Sequence, residues 1–263
     1  MNVRFYAWSA ALGASSMVAA QSQVNFSEIV RDASRIDASG WQYVEIKSGA
    51  NQNLSNLTVI EISGGAENAG TITSALSLDN VVSGENGLLL LQNMEHQMSQ
   101  NASTSSNVQS GNAFTLNTGT STYLVVQDFT GQVGDSIDAN MDGSVDATHW
   151  SAIEDSVAFG SGQAGEKLYG AEFGGVDFGG FGANNSADAY VVLTSGDKVA
   201  FEVAADGSAM SGTDGGGSGN GPLPADFKIT PGDVNPVPEP ASLVALGAGL
   251  GAAVLRRRRK SAK

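Results

Sequence analysis

Tyr43-Val44-Glu45-Ile46-Lys47 sets Val44 and Ile46 on one face of an extended chain and Glu45 and Lys47 on the other. Such a period of two is the mark of a β-strand with one side turned to a core. Outward from it the same texture repeats. Short apolar or alternating runs occur at Asn25–Val30, Gln42–Lys47, Leu57–Ile62, Gly87–Gln92, Thr122–Gln127, Ile153–Phe159, Ala189–Leu193 and Lys198–Val203. Gly, Asn, Asp and Ser separate them, and Thr194-Ser195-Gly196-Asp197 reads as a hairpin turn between the last two. The pattern predicts an all-β fold, an antiparallel sandwich or barrel. The best soluble helix candidate, Met94 to Ser105, is polar nearly all round.

The regions between these runs differ in kind. Gly64–Gly84 and Ser99–Asn112 read as loops, the second too polar to bury. Gly160–Asn185 is rich in glycine yet carries Leu168, Tyr169, Phe173, Phe178 and Phe181. It reads as a loop folded back on the sandwich, with a carbohydrate-stacking surface as the functional alternative. Asp206–Asn235 contains Gly215-Gly216-Gly217-Ser218-Gly219 and scattered prolines, the composition of a flexible linker.

Both ends are apolar. Arg4 precedes a weakly polar run from Tyr6 that closes with Val18-Ala19-Ala20, the layout of a secretory signal peptide over 1–20. At the other end Ala241–Leu255 holds no charge and one polar residue, Ser242, and Arg256-Arg257-Arg258-Arg259-Lys260 follows. As a helix this run spans about 22 Å, short of a hydrocarbon core of about 30 Å. Snorkelling arginines and local thinning cover the difference. The basic cluster stays cytoplasmic under the positive-inside rule, which leaves everything upstream outside.

The tail resembles a known signal. Val237-Pro238-Glu239-Pro240, the short apolar helix and the arginine run look like the PEP-CTERM sorting signal of exopolysaccharide-producing Gram-negative bacteria. The resemblance implies recognition and cleavage by an exosortase, a membrane-embedded protease, and transient inner-membrane anchoring before display at the cell surface or in the extracellular matrix. Near the front, Phe26-Ser27-Glu28-Ile29, Val44-Glu45-Ile46 and Leu54-Ser55-Asn56-Leu57 resemble the lamin-tail domain of secreted bacterial proteins. That likeness implies an immunoglobulin-like sandwich over 24–205 with a binding or structural role. Ser48-Gly49 departs from its usual Asn-Pro. The expected order is thus signal peptide 1–20, sandwich 24–205, linker 206–236 and sorting signal 237–263.

Charge is partitioned. Between Gln21 and Leu255 lie six basic and twenty-seven acidic residues, a net of −21. Such a body repels nucleic acid and attracts divalent cations. The absence of cysteine removes disulfides and thiolate metal sites. The sharpest motif is Asp138-Ala139-Asn140-Met141-Asp142-Gly143-Ser144-Val145-Asp146. Its oxygen side chains at positions 1, 3, 5 and 9, its glycine at 6 and the Ser144 carbonyl at 7 follow the front of an EF-hand calcium loop. Position 12 is His149, where a carboxylate belongs. Three readings arise: a weak extracellular calcium site, an unmetallated turn, and a dockerin, against which the second loop copy is missing, Gly232-Asp233-Val234-Asn235 being too short to supply it. Only His96 and His149 are available as imidazole bases, and no nucleophile or phosphate-binding motif occurs. The chain therefore reads as a non-enzymatic surface or exopolysaccharide-matrix protein. A carbohydrate-binding module and a two-carboxylate hydrolase are the alternatives.

Overall fold

The computed structural model describes residues 23–36, 38–180, 186–210, 223–224 and 226–235. Its strands are β1 (Asn25–Val30), β2 (Tyr43–Lys47), β3 (Leu57–Ser63), β4 (Ile72–Ser77), β5 (Leu88–Gln92), β6 (Asn107–Gln109), β7 (Ser121–Gln127), β8 (Ala152–Phe159), β9 (Val176–Phe178), β10 (Ala189–Val192) and β11 (Lys198–Phe201). They form a six-stranded sheet in the order β11-β10-β1-β2-β5-β6 and a five-stranded sheet in the order β4-β3-β7-β8-β9. The expected all-β sandwich is present, with more strands than the roughly seven to nine of an immunoglobulin domain.

The inner faces meet in one core. Val44 and Ile46 of β2, Leu89 and Leu91 of β5 and Tyr190 of β10 pack against Val59, Tyr123, Val125, Val157 and Phe159 of the opposite sheet. A bulge between Phe26 and Glu28 adds a residue to β1, so Phe26 and Ile29 both reach this core across an odd spacing.

The outer faces are covered as well. Val30, Tyr43, Leu90, Val191 and Phe201 pack under Phe227 and Ile229 from the C-terminal segment. On the other sheet Ile60, Ile62, Leu124 and Val126 pack under Ile137 and Tyr169. Burial on both sides explains the unbroken Leu88-Leu89-Leu90-Leu91 run, which strict alternation does not describe.

Three strands lie where the sequence reads as loop. β4 pairs with the edge of β3. β6 adds in parallel to β5 within the polar 99–112 stretch, and β9 in parallel to β8 within the Gly-rich insertion. β6 and β9 have three residues each, too few to show a period, and β4 is Ser- and Ala-rich with one buried residue, so their side chains carry a weak pattern. The 94–105 stretch holds only a 3-10 turn at Ser99–Asn101. Over residues 226–235 the expected free linker is corrected. Phe227, Ile229 and Asn235 are buried, because apolar groups on both sides of the first sheet need a cover. The remaining linker residues 211–222, the signal peptide 1–20 and the tail 237–263, with its expected membrane helix, lie outside the described residues. Among the described residues no helix is long and apolar enough to cross a membrane.

Candidate functional site

The C-terminal strap, residues 226–235, lies across the outer face of the six-stranded sheet. Ribbon contacts hold its start: the Ala209 amide donates to the Phe227 carbonyl at 3.0 Å and the Ile229 amide to the Gly207 carbonyl at 2.9 Å. Beneath it β1 and β2 set Glu28 directly opposite Glu45, both fully buried. The Thr230 amide donates to Glu28 Oε2 at 3.1 Å, and the Gly232 amide to Glu45 Oε2 at 2.7 Å. Glu45 Oε1 and the neighbouring Tyr43 hydroxyl are buried with no hydrogen-bond partner among the described residues.

Loss of water pushes the Glu28 carboxyl well above the ordinary range, and the facing Glu45 adds to this. Glu45 is pushed up to about 8, again chiefly by burial. Alternation along β2 assigns Glu45 to solvent. No local signal reveals the strap that covers both glutamates, although the apolar character of Phe227 and Ile229 in a supposed linker was a hint.

The strap ends on an anchor. Asn235 Nδ2 donates to the Ser27 carbonyl at 3.2 Å, to Ser27 Oγ at 3.0 Å and to the Val192 carbonyl at 3.0 Å. The next residue begins the tail. Residues 236–260 match a family model described as the PEP-CTERM protein-sorting motif. The chain carries a PEP-CTERM sorting tail. The match covers Val237, Pro238, Glu239 and Pro240 and the basic cluster Arg256, Arg257, Arg258, Arg259 and Lys260. It marks the chain as an exosortase-targeted protein, exported to the cell surface or the extracellular space. No curated protein and no solved structure matches the chain, so the lamin-tail likeness has no further support. What the PEP-CTERM tail adds to the geometry is a sorting motif whose match starts at the residue after a pinned side chain.

The acidic loop is drawn together by its own backbone. Asp138 is buried, and its Oδ2 accepts from the Gly143 amide at 2.8 Å and the Tyr169 hydroxyl at 2.8 Å. Its Oδ1 accepts from the Asp142 amide at 3.1 Å. Asn140 Oδ1 accepts from the Asp142 amide, Asp142 Oδ1 from the Ser144 amide and Asp146 Oδ2 from the Ala139 amide. Gly143 at φ +95° supplies the expected turn, and Gly70 at φ +80° lets the chain pass against Asp138 where a Cβ would clash with its backbone. Lys167 Nζ donates to the Asp142 carbonyl at 3.0 Å. His149 packs instead near Gly131 and Phe129. Among the described residues no three His, Asp or Glu side chains are grouped to hold a metal ion.

The oxygen side chains at 138, 140, 142 and 146 each accept a hydrogen bond from a backbone amide of the loop itself. Asp138→Ala is expected to cost roughly 2 kcal/mol by orphaning the Gly143 amide and the Tyr169 hydroxyl. Urea unfolding with and without a chelator should show the same loss.

The remaining candidates are also employed. Tyr169 and Phe178 of the Gly-rich insertion are fully buried, as core packing requires, and Phe181 lies outside the described residues. His96 stacks on buried Trp41 with ring centroids 4.1 Å apart. One polar cavity of about 310 Å³ brings Asp128 and Glu154 together among Asn and Gln side chains. There Ser151 Oγ donates to Asp128 at 2.7 Å, and Gln127 donates to Glu154.

Proposed function

We propose that this is a non-enzymatic protein of the cell surface or exopolysaccharide matrix, processed by an exosortase at Val237–Pro240 and displayed as a rigid acidic β-sandwich. The observation that carries the reading is the PEP-CTERM match at residues 236–260, directly downstream of the Asn235 anchor. The employment of the body's chemistry supports it. The facing Glu28 and Glu45 are sealed under the strap, and the insertion's described aromatics are largely packed inward. The net charge of the body keeps it soluble and repelled from polyanions such as nucleic acid.

The apolar run 241–255 holds the precursor in the inner membrane until cleavage. Replacing Pro238, Glu239 and Pro240 with alanine tests this in native cells. The expected result is accumulation of precursor with an intact C-terminus in the membrane fraction, where the parent chain gives a shortened C-terminus by mass. Identical C-terminal masses for parent and variant would remove the exosortase step from the account.

A further inference from the structure

The two ends of the described body meet at one end of the sandwich. Asn235 hydrogen-bonds Ser27 near the start of β1 and Val192 at the end of β10. Gln23, the first described residue, lines the same cavity of about 360 Å³ as Val234 and Asn235. Thr194 and Gly196 of the β10–β11 turn and Lys47 at the end of β2 also line it, and among the described residues its wall contains no carboxylate. In a body so acidic, that wall is distinctive.

Chain length then fixes where this end lies. Five residues, 236–240, separate Asn235 from Ala241, the first residue of the apolar run. At no more than about 3.6 Å per residue, Ala241 lies within roughly 22 Å of the anchor. The headgroup layer occupies several ångströms of that reach, about 5–8 Å on each side of the bilayer. At the front only Gln21 and Ser22 separate Gln23 from the apolar leader, a reach of about 10 Å.

We propose that this end of the sandwich, marked by Thr194, Gly196, Lys47 and Gln23, is the face that rests on the lipid surface while the tail is inserted. Anchoring at Asn235 prevents the body from standing off on a long tether. The leader, before its removal, acts as a second tether at the same end and restrains rotation. Ser34, in the β1–β2 connection at the opposite strand ends, faces away. A five-residue strand puts it about 17 Å farther from the lipid. This placement rests on the membrane reading of the tail.

The lack of cysteine makes a direct test available. Full-length chains carrying Thr194→Cys or Ser34→Cys, both exposed positions, are reconstituted in vesicles of zwitterionic and anionic phospholipid with no other protein. Each is treated with a small maleimide and with a bulky polyethylene-glycol maleimide, and the small reagent corrects for intrinsic thiol reactivity. The bulky-to-small rate ratio is expected to be about tenfold lower at position 194 than at position 34, as steric exclusion near the headgroup layer requires. Equal ratios in chains that float with the vesicles overturn this placement and leave the sorting assignment intact. Failure to float overturns the membrane reading of the tail and this placement with it.

Discussion

Raising the pH from about 5 to about 8.5 is expected to destabilise the folded body by on the order of 4 kcal/mol. The melting temperature should fall by roughly 10 °C for a chain of this size. The main cause is the Glu28–Glu45 pair beneath the strap, with a smaller share from Asp188, which burial raises to about 6. Both glutamate carboxyls are raised in the folded state, Glu45 to about 8 and Glu28 well above its ordinary range, mainly because burial disfavours the charged form. Between the unfolded value near 4.5 and the folded values, the folded protein holds more protons than the unfolded chain. Stability is therefore fully present below about 4.5 and declines as pH rises through about 8. Asp233 opposes ionisation of Glu45, whereas Lys47 and the amide of Gly232 favour it without overcoming burial. Tyr43, itself raised by burial and both glutamates, stays neutral across this range. Glu28→Gln with Glu45→Gln keeps size and polarity and should flatten the profile. Thermal melts of both proteins across the pH range decide it, and parallel slopes would show that the pair is not responsible.

Arg31→Lys should cost on the order of 3 kcal/mol, read in urea unfolding as a lower midpoint. Arg31 is fully buried at the end of β1. Nε donates to the Ala187 carbonyl at 3.1 Å, and Nη1 donates to the Asn117 and Gly119 carbonyls and to Ser121 Oγ at 2.8–3.1 Å. Nη2 donates to the Thr118 and Ala187 carbonyls at 3.1 and 2.9 Å and to Ser186 Oγ. The guanidinium also lies 4.4 Å from the Phe159 ring centroid. One planar cation thus fastens the 117–121 connection to the 186–187 connection across the two sheets. A lysine has three donors on a flexible stem, so it would leave several buried carbonyls without partners. The exposed Arg35→Lys, whose ion pairs with Asp188 and Glu202 are 3.7 and 3.5 Å long, is the control and should cost less than about 0.5 kcal/mol. Comparable losses at both positions would refute the role given to Arg31.

These two predictions fall on residues that look ordinary in the chain. Arg31 follows a strand as any solvated arginine does, and Glu45 occupies the polar side of an alternating run. Local pattern reports which residues share a face. It does not report whether another segment later covers that face.

The sequence by itself determined the all-β class, eight of the eleven described strands to within a few residues, the turn at Gly143 and the sorting tail. Each of these rests on nearest neighbours along the chain: side-chain period, turn chemistry, or a contiguous apolar run beside a basic one. Only the tertiary structure decided that both outer faces are covered, that β4, β6 and β9 complete the sheet edges, and that the acidic loop's carboxylates cap its own amides. It also decided that two glutamates lie side by side beneath the strap, and that Gln23 and Asn235 emerge together. Those arrangements join residues up to 208 positions apart. They exist because apolar surface on both sides of each sheet must leave water, a demand satisfied by whichever distant segment folds across it.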